Sequence, residues 1–296
     1  MTRLAIAGAG PAGLAAAIRA RERGLDAVVL ERRAPPLEKA CGEGLMPLGV
    51  AALAALGVAV PPERSAPTAP SGAAPGSRGT RAPARFGLRR HFRVAPWAPF
   101  VEVHWRAGVE AYVTPVASDE VGVAFLGRTG GRAFAALVAD FPALRTRLAR
   151  ATPVTPARGA GPFRQRVRRR ARGRVALVGD AAGYVDALTG EGLTLALRGA
   201  VALVDTLADG RPLREWERAW RRITLGHRVV THALLAVARA PRVRARLVRG
   251  LAADPALFDR LLAIASGEAP LAALGVGGLL RLGVALGAPA PPPTAS

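Results

Sequence analysis

Three glycines near the N-terminus have the spacing of a nucleotide-binding turn. Gly8, Gly10 and Gly13 form a G-x-G-x-x-G pattern, and Pro11 and Ala12 lie between the last two glycines. In this pattern the first glycine allows a tight turn, the second lets backbone N–H groups approach a pyrophosphate, and the third lets a helix pack closely on a strand. The chemistry indicated is phosphate binding at the start of a helix, where unpaired N–H groups and the helix dipole favour negative charge.

An acidic residue follows at the distance where a ribose would be bound. Glu31 lies 18 residues after Gly13, and a carboxylate in this position accepts hydrogen bonds from the hydroxyls of an adenosine ribose. An acid rather than a base favours a free ribose, and therefore FAD or NAD over NADP. Arg32 and Arg33 follow directly and weaken this preference.

The apolar pattern around these residues predicts the elements that must position them. Residues 4–7 have the length and composition of a strand, residues 14–23 those of an alanine-rich helix that ends at Gly24, and residues 27–30 those of a second strand. Arg3 followed by fifteen uncharged residues is also typical of a secretory signal peptide. A signal peptide has no use for the glycine spacing or the terminal acid, so a βαβ nucleotide-binding unit is the preferred interpretation.

A second motif lies between residues 178 and 193. The pattern predicts a buried strand over 175–178, a turn at Gly179 and Asp180, and a helix over 193–207 that Gly190 and Gly192 open. Asp180 can accept hydrogen bonds from the ribityl hydroxyls of a flavin. An ordinary strand–turn–helix with an acidic residue is the alternative, and the N-terminal unit in the same chain favours the flavin.

The start of the second predicted helix has a specific use in flavin chemistry. The backbone N–H groups at Gly192 and Leu193 would lie at a helix N-terminus. There they would face the N1–C2=O edge of the flavin ring, where negative charge gathers on reduction.

Three segments together resemble one family. The GAGPAG start, KACGEGL at 39–45 and VGDAAGYVDALTGEGL at 178–193 are similar to the FAD-dependent oxidoreductases related to geranylgeranyl reductases and aromatic-ring hydroxylases, which are flavoprotein monooxygenase-like. The resemblance implies an α/β fold: a glutathione-reductase-type, Rossmann-like FAD domain with an antiparallel β substrate sheet and a helical C-terminal region. It also implies FAD as the cofactor. The expected cofactor-binding residues are Gly8, Gly10, Pro11, Ala12, Gly13, Glu31, Arg32, Cys41, Gly42, Gly44, Leu45, Gly179, Asp180, Gly190, Gly192 and Leu193.

Cys41 is the one candidate for a catalytic side chain. Related reductases have a cysteine-glycine motif at this point near the flavin. A redox or nucleophilic role needs a lowered thiol pKa, and Lys39 is the evident cation nearby in sequence. A buried structural cysteine is the commoner case, so no catalytic residue is assigned.

The resemblance also divides the chain, with one departure from the family pattern. We expect an FAD-binding domain over 1–60 and 151–210, a Pro/Gly-rich linker over 61–85, a substrate-binding sheet and helix over 86–150, and a helical region over 211–296. Family members carry a longer middle segment with an Asp-Gly motif near the FAD pyrophosphate, and residues 61–83 stand in its place. The explanations are a deletion, a misjoined coding sequence and a diverged minimal enzyme. The first two are preferred, because a span with the composition of a disordered linker cannot replace strands of the sheet that carries the FAD.

The substrate region is expected to be antiparallel. Strands are predicted over 101–105, 109–114 and 120–125, followed by one amphipathic helix over 132–150. Trp97, Trp105 and Tyr112 are candidates to line a substrate pocket over the flavin, and simple packing within the sheet is the alternative.

Composition limits the other function classes. The net charge of +21 comes almost entirely from arginine in a chain rich in alanine, glycine and proline, which is typical of a high-GC genome. The arginine run at 164–174 is expected to be a solvated loop, and no nucleic-acid partner is predicted. One cysteine and four histidines without ligand spacing predict no metal site. No apolar run approaches the ~20 residues of a membrane span, so a cytoplasmic protein is expected.

The predicted function is FAD-mediated redox chemistry on a small or lipid-like organic substrate, as in geranylgeranyl reductases. The electron donor would be NAD(P)H or a reduced carrier protein. One alternative is a monooxygenase that uses NAD(P)H and O2, and another is a non-catalytic remnant with impaired FAD binding. The apolar residues 271–286 are expected to cap the substrate domain, with peripheral contact to a membrane surface as the alternative.

Overall fold

A computed structural model describes residues 3–34, 44–59, 85–106, 108–129 and 131–287. The chain forms two compact units, Met1–Trp220 and Arg221–Ser296. The long helix α6 (Leu213–Ala238) begins in the first unit and ends in the second. The predicted linker lies almost entirely outside the described residues, and the expected domain limits stay a prediction.

The N-terminal βαβ unit is present, as the sequence predicts. Strand β1 (Arg3–Ala7) and strand β2 (Asp26–Leu30) pair in parallel, and helix α1 (Pro11–Glu22) connects them. Gly24 has a φ of +69° directly after the helix, a conformation that glycine adopts at little cost. The helix begins three residues earlier than the apolar pattern indicates, because proline is well suited to the first helical position.

Helix α1 packs on a second alanine-rich helix from the far end of the first unit. This helix, α5 (Gly192–Ala208), and the short helix α2 (Pro47–Ala54) enclose one core with α1. The buried core residues are Ala15, Ala16, Ala20, Leu56, Leu197, Ala200 and Val204. An ion pair between Arg19 and Asp205, 2.8 Å long, lies beside this contact. Because the interface is built from small side chains, the two helix axes can approach closely.

The predicted antiparallel sheet is present and is larger than expected. Its strand order is β4–β5–β6–β3–β7, and β8 also pairs with β3. The strands are β3 (Phe86–Arg93), β4 (Glu102–Arg106), β5 (Val109–Ala117), β6 (Glu120–Gly127), β7 (Thr152–Pro153) and β8 (Arg158–Ala160). One sheet face packs on two helices, α3 (Phe134–Ala139) and α4 (Pro142–Leu148), around a core that contains Phe125, Leu137 and Leu144.

Two local expectations are wrong. The single helix predicted over 132–150 is broken between α3 and α4, because Pro142 pushes Phe141 out of the helical conformation, to φ −116° and ψ 90°. The strand predicted to be buried over 175–178 is reduced to β10 (Val175–Ala176), with Val175 64% exposed. It pairs with β9 (Ala171–Arg172) in a local hairpin.

The arginine run is not wholly solvated either. The guanidinium of Arg170 lies over the ring of Trp220, 3.5 Å from its centroid. Glu217 accepts hydrogen bonds from the backbone N–H groups of Arg170 and Ala171, at 2.7 and 3.3 Å. Part of this segment is therefore fixed to the start of α6 by a cation–π contact and a carboxylate.

The second unit is helical, as expected for the C-terminal region. The end of α6 is followed by α7 (Pro241–Ala253), α8 (Pro255–Ser266) and α9 (Gly275–Gly287). Helices α7 and α9 cross closely, since a Cβ on Gly250 would lie 2.2 Å from the Cβ of Ala285. Asp254 caps α8 by accepting a hydrogen bond from the Leu257 N–H. No helix in the described part of the chain is both long enough and apolar enough to cross a membrane.

Acid should destabilise the second unit through one buried histidine. His227 is 3% exposed, and burial lowers its pKa from 6.5 to about 4. Between these values the unfolded chain binds a proton that the folded unit does not. The free energy of unfolding should therefore decrease as the pH is lowered from 6.5 to 4, by up to about 3 kcal/mol. Replacement His227→Gln should flatten this dependence in urea unfolding followed by circular dichroism.

The control for this prediction is His232→Gln, which changes an exposed histidine of the same helix. That variant should keep most of the wild-type slope between pH 4 and 6.5. An H227Q slope equal to that of the wild type would contradict the assignment.

Candidate functional site

The three N-terminal glycines occupy three different environments. Gly8 has a φ of +104°, and its N–H donates to the Leu30 carbonyl oxygen at 2.8 Å, which closes the turn between β1 and α1. A Cβ on Gly13 would lie 2.0 Å from the Gly8 carbonyl oxygen, so the helix rests directly on this turn. Only glycine fits at either position, at Gly8 for its conformation and at Gly13 for space.

Gly10 differs because, among the described residues, the space that a side chain would occupy is open. It is the N-cap of α1, with φ −72° and ψ 172°, and a Cβ built there would meet no described atom within 4 Å. Pro11 occupies the first helical position. The first N–H groups of a helix have no partner within the helix. The open space at Gly10 and the helix start beside it therefore form a cradle that suits an anionic group.

Glu31, directly after β2, holds this turn through hydrogen bonds from two backbone N–H groups. One carboxylate oxygen accepts from the Ala9 N–H at 2.9 Å, and the other accepts from the Arg33 N–H at 3.0 Å. These hydrogen bonds, that from Ala9 most of all, hold the pKa of Glu31 below its usual value. Each oxygen has a second lone pair that can accept from a ribose hydroxyl. Arg32 is exposed next to it.

The second motif lies against the first. Gly179, with a φ of +59°, opens a short 3-10 helix over Gly179–Ala182, and a Cβ on it would lie 3.0 Å from the Cβ of Ala12. The half-buried Asp180 therefore follows a backbone segment that touches the first turn of α1. The structure thus brings together two motifs that are more than 160 residues apart in sequence.

The start of α5 connects to the segment around Leu45. Gly190 has a φ of +70°, the buried Glu191 is the N-cap of the helix, and Gly192 is its first residue. A Cβ on Gly49, in α2, would lie 2.5 Å from Leu45 Cδ1 and 2.8 Å from Thr194 Oγ1.

Thr194 is a polar residue that sequence reasoning missed. It is fully buried in the first turn of α5, and its hydroxyl has no hydrogen-bond partner among the described residues. A buried hydroxyl normally has a partner. The open cradle at Gly10 is the structural feature that fits a bound anionic group at the expected place.

Some expected site residues cannot be placed. Cys41 and Gly42 lie outside the described residues. Gly44 is half-buried, and a Cβ built on it would meet no described atom within 4 Å. Within the described ranges, no three His, Cys, Asp or Glu side chains group closely enough to hold a metal ion.

The three aromatic candidates do not share one pocket. Strand register places Trp105 opposite Glu110 and Val103 opposite Tyr112, so Trp105 and Tyr112 lie on the sheet face away from α3 and α4. Trp97 belongs to the other side, where it packs on the core and donates to Glu102 at 2.6 Å. For Trp97 the structure therefore shows the alternative interpretation, packing within the sheet.

A buried ion cluster lies on the sheet face that carries Trp105 and Tyr112, and the sequence analysis did not predict it. Arg85 Nη2 donates to Glu110 at 2.6 Å, and Arg85 Nε donates to Asp186 at 2.8 Å. Tyr112 donates its hydroxyl to the Leu188 carbonyl oxygen at 2.9 Å. The one signal in the sequence is a glutamate inside an otherwise apolar strand, in VEAYV. Its partners at 85 and 186 come from distant segments, so no spacing rule could find them.

Comparisons with known proteins agree with this geometry at the N-terminus. Residues 6–36 match the model of a family described as NAD(P)-binding Rossmann-like domain. A stretch of 51 residues is 51% identical to the menaquinone reductase of Mycolicibacterium smegmatis. This stretch makes up 17% of the chain and 12% of that reductase. The family match at residues 6–36 agrees with the βαβ unit found there, while the likeness to the reductase spans a small part of that protein.

Solved structures share the fold over most of the chain. A flavoprotein/dehydrogenase from Cytophaga hutchinsonii has a TM-score of 0.73 at 13% identity, over 90% of this chain and 93% of that one. A flavin-dependent brominase has a TM-score of 0.67 at 14% identity, over 96% and 97%. A probable FAD-dependent monooxygenase from Pseudomonas aeruginosa has a TM-score of 0.59 at 17% identity, over 81% and 97%.

These structures confirm the expected fold class. Their descriptions agree with FAD as the expected cofactor, since all three are flavoproteins or flavin-dependent enzymes. The matches agree with the wider group of FAD-dependent oxidoreductases and do not single out the geranylgeranyl reductases.

The different environments of Gly10 and Gly13 predict different effects of the same substitution. Gly13→Ala forces a Cβ into the Gly8 carbonyl and should cost about 1–3 kcal/mol, as overpacking does. Gly10→Ala meets no described atom within 4 Å and should leave the thermal unfolding midpoint unchanged. It should instead weaken binding of an adenine dinucleotide, measured by titration calorimetry. Equal destabilisation by both substitutions would contradict this assignment.

Proposed function

We propose that this chain binds FAD and acts as an FAD-dependent oxidoreductase on a small or lipid-like organic substrate. The observation that carries the proposal is the contact between Gly179 and Ala12. It places the motif expected at the flavin end beside the helix start expected at the phosphate end. One extended cofactor with a phosphate group and a ring system accounts for both motifs at once.

The residues divide between the two ends of the cofactor. The turn at Gly8–Gly10 and the start of α1 would hold the pyrophosphate, and Glu31 would accept from the ribose. Asp180 and the first turn of α5 would hold the ribityl chain and the ring edge. A bound flavin would supply the electron and hydride transfer. The protein binds, orients and supplies the positive end of a helix dipole to the ring.

The substrate class rests on a local likeness and on the sheet. The stretch that matches a menaquinone reductase favours a lipid-like substrate such as a quinone. Trp105 and Tyr112 lie on the same face of the sheet. The Tyr112 hydroxyl donates to the carbonyl oxygen of Leu188, which lies close in sequence to the start of α5. We propose that this face borders the substrate and that NAD(P)H or a reduced carrier protein supplies the electrons.

A monooxygenase is the second candidate, because one of the similar structures is a probable FAD-dependent monooxygenase. The two reactions differ in the fate of oxygen. A reductase forms reduced product and oxidises its electron donor even when O2 is absent. A monooxygenase oxidises NAD(P)H over many turnovers only with O2, because O2 must reoxidise its reduced flavin. Its product carries a new oxygen atom, which mass spectrometry detects with labelled O2.

Retention of FAD tests the proposal directly. The purified protein, incubated with FAD and desalted, should show the visible absorption of bound flavin. Gly192→Val should lose most of it, because a Cβ at Gly192 already lies 3.4 Å from the Tyr184 ring and branching would crowd the helix start. The control is Gly277→Val, near the start of α9, where a Cβ meets no described atom within 4 Å.

The possible outcomes separate the candidates. Flavin retained by the wild type and by G277V, and lost by G192V, supports the site. A folded, colourless wild-type protein would overturn the proposal and leave the non-catalytic remnant.

A lipid surface is the second partner proposed, through α9. Val276, Leu279, Leu280 and Val284 form a stripe on this helix and are 58–75% exposed. An exposed apolar stripe on one helix is typical of helices that lie in a membrane interface. Arg281, the basic residue beside the stripe, is paired with Asp254 at 3.5 Å.

Vesicle sedimentation tests this contact. The protein should sediment with vesicles that contain anionic lipid, and Leu279→Asp should reduce the bound fraction markedly because a charge enters the apolar stripe. Val248→Asp on α7 makes the same change at another exposed apolar residue and serves as the control. Equal loss in both variants would indicate a charge effect without a specific face.

A further inference from the structure

The buried cluster of Arg85, Glu110 and Asp186 joins two parts of the first unit. Arg85 directly precedes β3, Glu110 lies in β5, and Asp186 lies in the segment before α5. The guanidinium contacts both carboxylates: it reaches Glu110 at 2.6 and 3.3 Å and Asp186 at 2.8 and 3.4 Å. Two-point contact of this kind fixes direction as well as distance.

Burying the three charged side chains of this cluster costs desolvation free energy. The side chains of Glu110 and Asp186 are each 3% exposed, and that of Arg85 is 19% exposed. Burial raises the pKa of Glu110 even though the Arg85 hydrogen bonds and charge act in the opposite direction. A buried ion pair often stabilises a fold no better than apolar side chains of the same size would. Its value can lie in fixing one arrangement of the chain.

A second contact reinforces the first at the same segment. Asp186 Oδ1 accepts from the Leu188 N–H at 3.1 Å, while the Leu188 carbonyl oxygen accepts from the Tyr112 hydroxyl at 2.9 Å. Glu110 and Tyr112 are on the same face of β5. The antiparallel sheet thus holds residues 186–188 through an ion cluster and a neutral hydrogen bond.

The held segment leads directly into the expected flavin end of the site. Four residues separate Asp186 from Glu191, the N-cap of α5. Gly190, with its φ of +70°, lies between them. A shift of residues 186–188 would therefore move the first N–H groups of α5.

We propose that Asp186, clamped by Arg85, is a positioning residue that sets the first turn of α5 for the cofactor. The inference rests on the proposed function, since it assigns the purpose of that turn. A cluster that served folding alone would weaken the protein equally whichever carboxylate was removed. A positioning role makes the two carboxylates unequal, because Asp186 lies on the held segment and Glu110 lies on the sheet that holds it.

Asp186→Ala and Glu110→Ala form a matched pair. Each removes one carboxylate and leaves Arg85 with the other. Amide hydrogen exchange is measured first, on the flavin-free full chain, by mass spectrometry of peptides that cover 184–195. We expect faster exchange there in D186A and near-wild-type exchange in E110A.

The FAD dissociation constant of both variants is measured next, by quenching of flavin fluorescence. D186A should bind FAD about tenfold more weakly or worse, while E110A should stay within about twofold. Asp186→Asn retains the shape and can accept from the Leu188 N–H, so it should recover most of the affinity. If D186A does not fold by circular dichroism, Asp186→Leu and Glu110→Leu replace the pair, and exchange and affinity should again change more in the Asp186 variant.

Equal changes in exchange and in affinity for the Asp186 and Glu110 variants would overturn the positioning role. So would wild-type exchange and affinity in D186A. A wild-type protein that takes up no FAD would instead overturn the proposed function, and the exchange measurement would still decide whether Asp186 holds the start of α5.

Discussion

The close packing of α1 on α5 is the interaction on which the rest of the first unit depends. It brings the N-terminal glycine turn and the 179–193 motif into one place, and neither motif could serve one ligand without it. The contact is possible because Ala15, Ala16 and Ala20 face Ala200 and Leu197 with little side-chain volume between the helices. Gly179 continues the same principle at the helix start, where it touches Ala12. Arg19 and Asp205 then fix the register of the two helices at the edge of the contact.

The local parts of this arrangement could be predicted from sequence, because local rules determine them. The βαβ unit, the antiparallel strands and the C-terminal helices follow from apolar period and from glycine and proline. Gly8 and Gly13 have the conformation and the packing that their spacing in the motif demands. Two exceptions are informative. Pro142 interrupts a segment with a helical apolar pattern, and residues 175–176 pair in a local hairpin instead of forming a longer buried strand.

The parts that sequence could not predict are contacts between distant segments. Glu31 has the expected position, but its hydrogen bonds to the Ala9 and Arg33 N–H groups are visible only in three dimensions. The same holds for the cluster of Arg85, Glu110 and Asp186, whose members come from three segments. Trp97 is a further example, because the sequence alone does not show which face of the sheet an aromatic residue near a strand will pack on. The structure places it on the core side.

The small parallel sheet shows why the helices matter more than the strands at this site. Within the described residues β1 pairs only with β2. A two-stranded sheet has little stability of its own, and Leu30 is 60% exposed on the face away from α1. The opposite face, with Leu4, Ile6 and Ala27, packs into the core that α1 and α5 share. The strands are therefore supported from one side by the helices, and the glycine turn inherits its position from that support. It follows that the expected binding geometry depends on α5 and on the segment that leads into it. The antiparallel sheet holds that segment through Arg85 and Tyr112.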